Sequence, residues 1–283
     1  MVNTITQTPI AENSTAHNGV VTQRMEKSYL LSDVEVAKFI TYGYHLVELD
    51  LPASFHEQIA QQLDGLRSNP GDAITETIPE LWQVLEHPAV VGALTSLLGH
   101  NYRINSHRHW HCKESNSPYM HWHQDSVNNR NTQIDRFLGL YYPRTLTPDM
   151  GPTIIVPGTQ FRNAPTDRMA TYTNIRGQLP LNVKAGTVAF THYDLWHGTG
   201  ANRSSVRRHM IKFLFNRTQP NSAPTWNHDP DALNKARDWN LRDKAEDVNN
   251  ILTFVNPIGV SQSDHYKETV IRRRCWAELM GES

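Results

Sequence analysis

Apolar residues recur with a helical period through the N-terminal third of the chain and predict three helices. The first helix is capped by Ser32, which forms a capping-box pattern with Glu35, and it ends before Gly43. Gly99 is a similar stop signal for the third helix. The predicted helices cover residues 31–40, 53–66 and 88–98, and an alternating strand at 44–49 follows the first.

The pattern changes to alternation of apolar and polar residues after Gly99, which is typical of half-buried strands. Gly- and Pro-containing turns separate these short segments. The sequence therefore predicts a sandwich or barrel and not parallel βαβ units. The predicted strands cover residues 102–113, 136–142, 153–156, 187–191 and 208–216, with residues 181–183 leading into the turn before 187.

Helical patterning returns near the end of the chain, over residues 264–280. Residues 1–24 lack apolar periodicity, and we expect them to form a mobile leader. No linker or internal repeat divides the remainder. We therefore expect one domain over residues 25–283, with a helical extension from about residue 230 onwards.

The composition favours a globular protein and argues against several classes of partner. Hydrophobic residues make up 38% of the 283 residues, and the formal net charge of -1 offers no basic surplus for nucleic acid. Two distant cysteines, Cys112 and Cys275, do not suggest a disulfide framework or a thiolate zinc site. Without a secretory signal or a membrane span, we expect a cytoplasmic protein, monomeric or homodimeric, that acts on a small molecule.

The chemically informative residues are His123 and Asp125, which stand two apart in a stretch rich in histidine. Positions i and i+2 of a strand point to one face, so an imidazole and a carboxylate can meet there. His197 would complete the two-His-one-carboxylate set that holds non-haem Fe(II) with coordination positions left open. Such pairs are common by chance, so the surrounding sequence decides their meaning. We reject His192 as the third ligand, because it lacks the Gly-Thr-Gly sequence that follows His197.

Three motifs, in this order, resemble those of the phytanoyl-CoA dioxygenase family, and the likeness spans roughly residues 31–216. The chain departs from the family pattern at Met150, Gln160 and Thr199, where Asn, His and Ser are usual, and none of these changes removes a metal ligand. The motifs are His123-Gln124-Asp125, the segment from Met150 to Gln160 and the segment from His197 to Ser204.

The resemblance implies a mostly β fold with packed helices, built on a double-stranded β-helix of the jelly-roll or cupin type. It also implies a dioxygenase that uses Fe(II), 2-oxoglutarate and O2 to oxidise a substrate, with release of succinate and CO2. His123, Asp125 and His197 would be the metal ligands.

The family's co-substrate arginine falls eleven residues after the distal histidine, at Arg208. A guanidinium fork suits the far carboxylate of 2-oxoglutarate better than an ammonium group does. Arg208 opens a strand and would point into the barrel, whereas Arg207 would point away. The resemblance also places Thr199, Asn105 and Tyr141 near the co-substrate, although Tyr141 could equally belong to the core.

Several polar residues are candidates for binding the substrate. His107, His109 and His111 alternate along one strand with Asn105, and Arg130 lies in the loop after the HxD motif. Each of these histidines could equally be an exposed residue at a sheet edge. If they line the cavity, they favour a small or medium polar metabolite over a long acyl chain, which would leave them unpaired.

Two other functions remain open at this point. One is a cupin-type metal enzyme that uses His121, His123 and His197 without a keto acid, although this leaves Asp125 without a role. The other is a catalytically silent binding module on the same barrel. Intact ligands together with Arg208 argue against both.

Overall fold

Two antiparallel sheets face each other at the centre of the computed structural model, which describes residues 26–126, 131–162, 174–233, 247–256, 258 and 261–282. The larger sheet has the order β1-β7-β4-β9-β2 and the smaller has the order β3-β8-β5-β6. This is the predicted double-stranded β-helix. The strands are β1 (Tyr44–Glu48), β2 (Tyr102–Lys113), β3 (Met120–His123), β4 (Arg136–Tyr142), β5 (Thr153–Ile155), β6 (Leu179–Pro180), β7 (Thr187–His192), β8 (His197–Thr199) and β9 (Arg208–Arg217).

The larger sheet has an inner face toward the smaller sheet and an outer face toward the helices. Leu140 and Tyr142 of β4 pack with Ile155 of β5 in a cluster between the sheets. Phe137 and Phe215 belong to the larger core that the helices cover on the outer side. Because side chains alternate along a strand, this register decides which residues can reach the space between the sheets.

The helices begin and end close to where their sequence signals stand. Ser32 caps the first helix, with its N–H donating to the Glu35 carboxylate at 2.8 Å, and Gly43 ends it in a left-handed conformation. Among the described helices, none combines the length and apolar character needed to cross a membrane. The helices are α1 (Asp33–Tyr42), α2 (Ala53–Gly65), α3 (Ile74–Thr77), α4 (Leu81–Leu85), α5 (Pro88–Leu98), α6 (Val248–Leu252) and α7 (Gln262–Met280).

Some sequence-based expectations need correction or lie outside the described residues. Residues 181–183 lead into the turn before β7, and the two-residue strand β6, which the sequence did not predict, precedes them. The leader at residues 1–24 and the substrate candidate Arg130 are not among the described residues. The single-domain organisation stays a prediction.

Candidate active site

His123, Asp125 and His197 converge at one end of the smaller sheet. His123 ends β3 and His197 begins β8, and the two residues are direct cross-strand partners. Asp125 follows in the turn after β3, and its Oδ1 lies 3.7 Å from Nε2 of His123 and 3.8 Å from Nε2 of His197. The three ligand atoms lie within 4.8 Å of one another, close enough for one metal ion.

Backbone carbonyls orient both imidazoles toward Asp125. Nδ1 of His123 lies 3.0 Å from the carbonyl oxygen of His121, and Nδ1 of His197 lies 2.9 Å from that of Leu195. With Nδ1 protonated and donating to these carbonyls, Nε2 of each ring carries a free lone pair for a metal. Burial, together with the neighbouring His123, lowers the pKa of His197 to about 4, so this ring is neutral.

A glycine beside His197 allows the two ligand strands to lie close together. A Cβ built on Gly198 would stand 2.9 Å from the carbonyl oxygen of Met120 on β3. Any larger residue would push β8 away from β3 and separate the imidazoles. The His-Gly pair in the distal motif therefore has a packing reason as well as a chemical one.

Lys212 contacts the carboxylate of this group, and sequence reasoning missed it. Its Nζ donates to Oδ2 of Asp125 at 3.2 Å, which leaves Oδ1 facing the two imidazoles. Burial alone would raise the pKa of Asp125, but His197, Lys212 and His123 outweigh burial and hold the pKa below its usual value. The sequence signal that could have found Lys212 is its position on the predicted strand, which places its side chain on the same face of β9 as that of Arg208.

Arg208 is buried between the sheets without an acidic partner. Its side chain is among the largest that are fully buried, and its guanidinium donates to the carbonyl oxygen of Gly151 and to Oγ1 of Thr153, at 3.2 to 3.3 Å. Within the described part of the chain, no carboxylate forms an ion pair with it. Arg207 points the other way and pairs with Glu114 at 2.8 Å. This geometry agrees with the choice of Arg208 over Arg207.

Unsatisfied polar atoms close to Arg208 fit an anionic ligand. Oγ1 of Thr199 and Nε2 of His111 are buried and have no hydrogen-bond partner. Lys113 stands opposite Arg208 in the β2–β9 register, and burial together with Arg208 lowers its pKa to about 8. Buried polar groups normally have partners, and these two atoms beside a guanidinium without a carboxylate partner fit a ligand with oxygen acceptors.

Tyr141 is not part of this group, because the register of β4 directs it to the outer face. Its hydroxyl lies 2.8 Å from Nδ1 of His56 in α2, within the core under the helices. The next residue, Tyr142, faces inward and donates to Oγ1 of Thr153 at 2.9 Å, beside Arg208. The tyrosine beside Arg208 is thus Tyr142, whereas Tyr141 takes the core position that the sequence left open.

A bulge in β2 separates Asn105 and His107 from the rest of the site. The register shifts between Ile104 and Arg108, and within the bulge Oδ1 of Asn105 accepts from the backbone N–H of His107 at 2.9 Å. The side chain of His107 is 47% exposed. These two predicted ligand contacts are therefore not brought to Arg208.

His109 and His111 remain as the inward members of the histidine row. Their ring centroids are 5.7 Å apart, and His109 is the direct cross-strand partner of Lys212. Burial, with Lys212 and His109 nearby, lowers the pKa of His111 to about 3, so its ring is neutral. These two positions thus face the same side of the sheet as Lys212 and Arg208.

The two histidines weighed as alternative ligands stand elsewhere. His121 is not a member of the ligand group found among the described residues, and its ring packs edge-on to Tyr119. His192 is buried, with Nε2 at 2.9 Å from the carbonyl oxygen of Gln133 and Nδ1 accepting from the N–H of Asp194. Both ring nitrogens of His192 are thus used in hydrogen bonds, which agrees with its rejection.

The backbone carbonyl of Arg162 is hydrogen-bonded to both of the segments that carry the candidate metal ligands. The carbonyl of Arg162 accepts from Nε2 of Gln124 at 2.7 Å and from Nε1 of Trp196 at 3.2 Å. Gln124 lies between His123 and Asp125, and Trp196 precedes His197. The two ligand-bearing segments are thereby tied to a common point.

Comparison with known proteins agrees with this geometry. The family model described as phytanoyl-CoA dioxygenase (PhyH) matches residues 47–210, whereas no curated protein matches. HygX from Streptomyces hygroscopicus, solved with nickel and 2-oxoglutarate bound, is 13% identical, with a TM-score of 0.57 over 69% of this chain and 90% of that chain.

Two further solved structures share the fold. The non-heme alpha ketoglutarate dependent epimerase SnoN, from nogalamycin biosynthesis, is 18% identical, with a TM-score of 0.53 over 64% of this chain and 81% of that chain. The non-heme monooxygenase ThoJ is 17% identical, with a TM-score of 0.53 over 85% of this chain and 99% of that chain. With more than half of its length matched by the family model, the chain belongs to the phytanoyl-CoA dioxygenase family and is an Fe(II)- and 2-oxoglutarate-dependent oxidoreductase.

Proposed function

We propose that the chain is a dioxygenase that hydroxylates a small or medium polar metabolite or natural product, releasing succinate and CO2. In this proposal His123, Asp125 and His197 hold Fe(II), and Arg208 binds the far carboxylate of 2-oxoglutarate. The observation that carries it is the buried guanidinium of Arg208, which has no carboxylate partner among the described residues and lies between the sheets with the unpartnered hydroxyl of Thr199.

The chain's own residues supply positioning and charge. Bound iron would activate O2 at the expense of the keto acid, and that oxidising chemistry belongs to the metal centre. Arg208 and Thr199 would hold the co-substrate in one orientation, and Lys212 would keep one oxygen of Asp125 away from the metal. The sheets on either side exclude bulk water from the site.

A polar substrate fits the groups that remain near the metal. The rings of His109 and His111 would stay without polar partners against a long acyl chain, which is unfavourable for buried polar groups. A net charge of -1 also gives the chain little general attraction for the phosphates of coenzyme A. HygX, which has been solved with hygromycin B bound, gives a precedent on this fold for a natural-product ligand. A cytoplasmic location and a monomeric or homodimeric state stay predictions.

The decisive experiment separates this function from its rivals. Purified chain mixed anaerobically with Fe(II) and 2-oxoglutarate should develop the weak visible charge-transfer band of the chelate. A cupin-type enzyme without a keto acid or a silent binding module should not show it. Succinate formation stimulated by members of a panel of polar metabolites and acyl-CoA thioesters then tests the substrate class. Stimulation by long acyl-CoA alone would overturn the polar assignment.

A further inference from the structure

His107, which the bulge in β2 removes from the cavity, lies in a second group of metal-binding side chains. Asp72 follows Gly71 in a single turn of 3-10 helix, and His107 and His109 project from β2 beside it. The carboxylate oxygen and the two ring nitrogens lie within 4.8 Å of one another. Asp72 and His107 are exposed and His109 is partly buried, so these three residues, called the rim group below, are open to ions from solution.

The spacing of the ligand atoms in this rim group differs from that of an ordinary His–Asp hydrogen bond. Nδ1 of His107 lies 3.7 Å from Oδ1 of Asp72, the same spacing as in the group formed by His123, Asp125 and His197. Other His–Asp pairs in the described residues are closed hydrogen bonds, for example His87–Asp50 at 2.6 Å. Two ligands about 2.1 Å from a tetrahedral ion stand about 3.4 Å apart, so the open spacing suits an ion between the two atoms.

Backbone contacts hold the rim group in place without a metal. Oδ1 of Asp72 accepts from the N–H of Arg108 at 3.1 Å, which fixes the carboxylate against β2. The side chain of Asn105 accepts from the N–H of His107 and fixes the bulge. The rings of His107 and His109 lie 4.3 Å apart between centroids, so both imidazoles are already on the same side of the strand.

We propose that Asp72, His107 and His109 form a second metal site that takes a borderline divalent ion such as Zn2+ or Ni2+. Two imidazoles and one carboxylate suit these ions better than Mg2+ or Ca2+, which prefer oxygen ligands throughout. With three protein ligands the ion keeps an open position for water or for an anionic group of a ligand.

The second site is connected to the inner group through one strand pair. His109 stands opposite Lys212, and Lys212 donates to Asp125. A metal on His109 would fix the ring that faces Lys212 across the strand pair. A metal bound by the rim group would therefore change the position of His109 beside Lys212 without replacing the inner metal.

Ni2+ binding to the full-length, tag-free chain tests this site independently of the inner one. In an Asp125→Ala, His197→Ala background the inner group is disabled, and we expect about one Ni2+ per chain by equilibrium dialysis. Adding His107→Gln should weaken that binding by at least about tenfold, the scale on which even an outer partner of a ligand acts. Asp72→Asn should weaken it similarly. His100→Gln, a change at an exposed histidine outside the group, should not.

The unmodified chain provides a second measurement that does not depend on the background changes. It should bind two Ni2+ per chain, and His107→Gln should reduce this to one. The proposal is overturned if the inner-site variant binds no Ni2+, or if His107→Gln and His100→Gln have equal effects.

Discussion

The two carboxylate oxygens of Asp125 have different neighbours. Oδ1 faces both imidazoles, whereas Oδ2 accepts from Lys212. A carboxylate held in this way would bind a metal through one oxygen and would leave other coordination positions open for 2-oxoglutarate and O2. Lys212 also carries a positive charge that repels the metal, so its benefit lies in orientation and not in metal affinity.

Replacing Lys212 should therefore weaken the binding of 2-oxoglutarate more than the binding of the metal. In Lys212→Met the second oxygen of Asp125 is free to chelate the ion and to occupy a position that 2-oxoglutarate needs. We expect Fe(II) still to bind, and the 2-oxoglutarate concentration that half-saturates the visible band to rise roughly tenfold. Lys212→Arg keeps a donor and should stay close to the unmodified chain. Equal titrations for Lys212→Met and for Lys184→Met, a change at an exposed surface pair, would contradict this role.

Arg208 and Arg207 provide a matched pair for testing the co-substrate anchor. Arg208→Ala leaves the far carboxylate of 2-oxoglutarate without its cation, a loss of roughly 2–5 kcal/mol for a buried charge pair. Arg207→Ala removes an exposed ion pair with Glu114 and a hydrogen bond to the carbonyl oxygen of Asp64, and should change co-substrate binding little. Titration of the anaerobic Fe(II) complex with 2-oxoglutarate should show a steep rise in half-saturation for Arg208→Ala alone. The opposite ranking would move the anchor to Arg207.

The sequence predicts individual site residues best where local geometry decides their direction. The side chains of His123 and Asp125 meet as predicted from their spacing, because their relative position depends only on one short strand and the turn after it. Tyr141 takes the core position that the sequence left open, because the inward face of β4 is set by its pairing with β7 and β9, which the sequence does not display. Lys212 belongs to no motif, and only the cross-strand register brings it to Asp125.

At the scale of elements, α7 braces the segment that holds the ligand strands. Glu268 of α7 is buried and accepts from Arg162 at 2.5 Å and from Arg272 at 3.2 Å. The carbonyl of the same Arg162 accepts from Gln124 and Trp196 beside the metal ligands. The helix faces the barrel with this charged network as well as with Trp276 and Leu279, whereas Val270 is 47% exposed.

Loss of Glu268 should destabilise the fold far more than loss of another acidic residue on α7. Glu268→Ala leaves Arg272 buried without its carboxylate, which costs roughly 3–5 kcal/mol. Glu278→Ala breaks a pair with Arg274, whose side chain is 69% exposed, and should cost less than about 1 kcal/mol. Urea unfolding monitored by circular dichroism measures both changes. Similar midpoints for the two variants would mean that the buried network does not brace the barrel.

Long, regular elements were predictable from their own pattern, whereas the short strands β3 and β8 were not. The capping box of α1 and the alternation of β9 are local signals that extend over many residues, and both elements formed as predicted. The strands β3 and β8 have four and three residues, too few for a period to show. They exist because they pair with each other, and they carry His123 and His197, so the motif located them more reliably than the pattern did.

At the scale of the whole molecule, the candidate site is divided between the two sheets. His123 and His197 belong to the smaller sheet, whereas Arg208 and Lys212 belong to β9 of the larger one. A metal ion alone would thus be held by the smaller sheet and the turn that follows β3. A co-substrate that chelates the metal and reaches Arg208 would link the two sheets.

This division predicts that 2-oxoglutarate stabilises the folded chain in addition to the metal. With Ni2+ fixed at a saturating concentration to avoid turnover, 2-oxoglutarate at about 100 times its Kd should add about 2.7 kcal/mol to the free energy of unfolding. In Arg208→Ala, measured at the same concentrations, most of that increment should disappear while the increment from Ni2+ remains. The measurement is urea unfolding of both proteins with and without each ligand. An equal 2-oxoglutarate increment in Arg208→Ala would show that the co-substrate does not bridge the sheets through β9, because the metal end alone would then account for its binding.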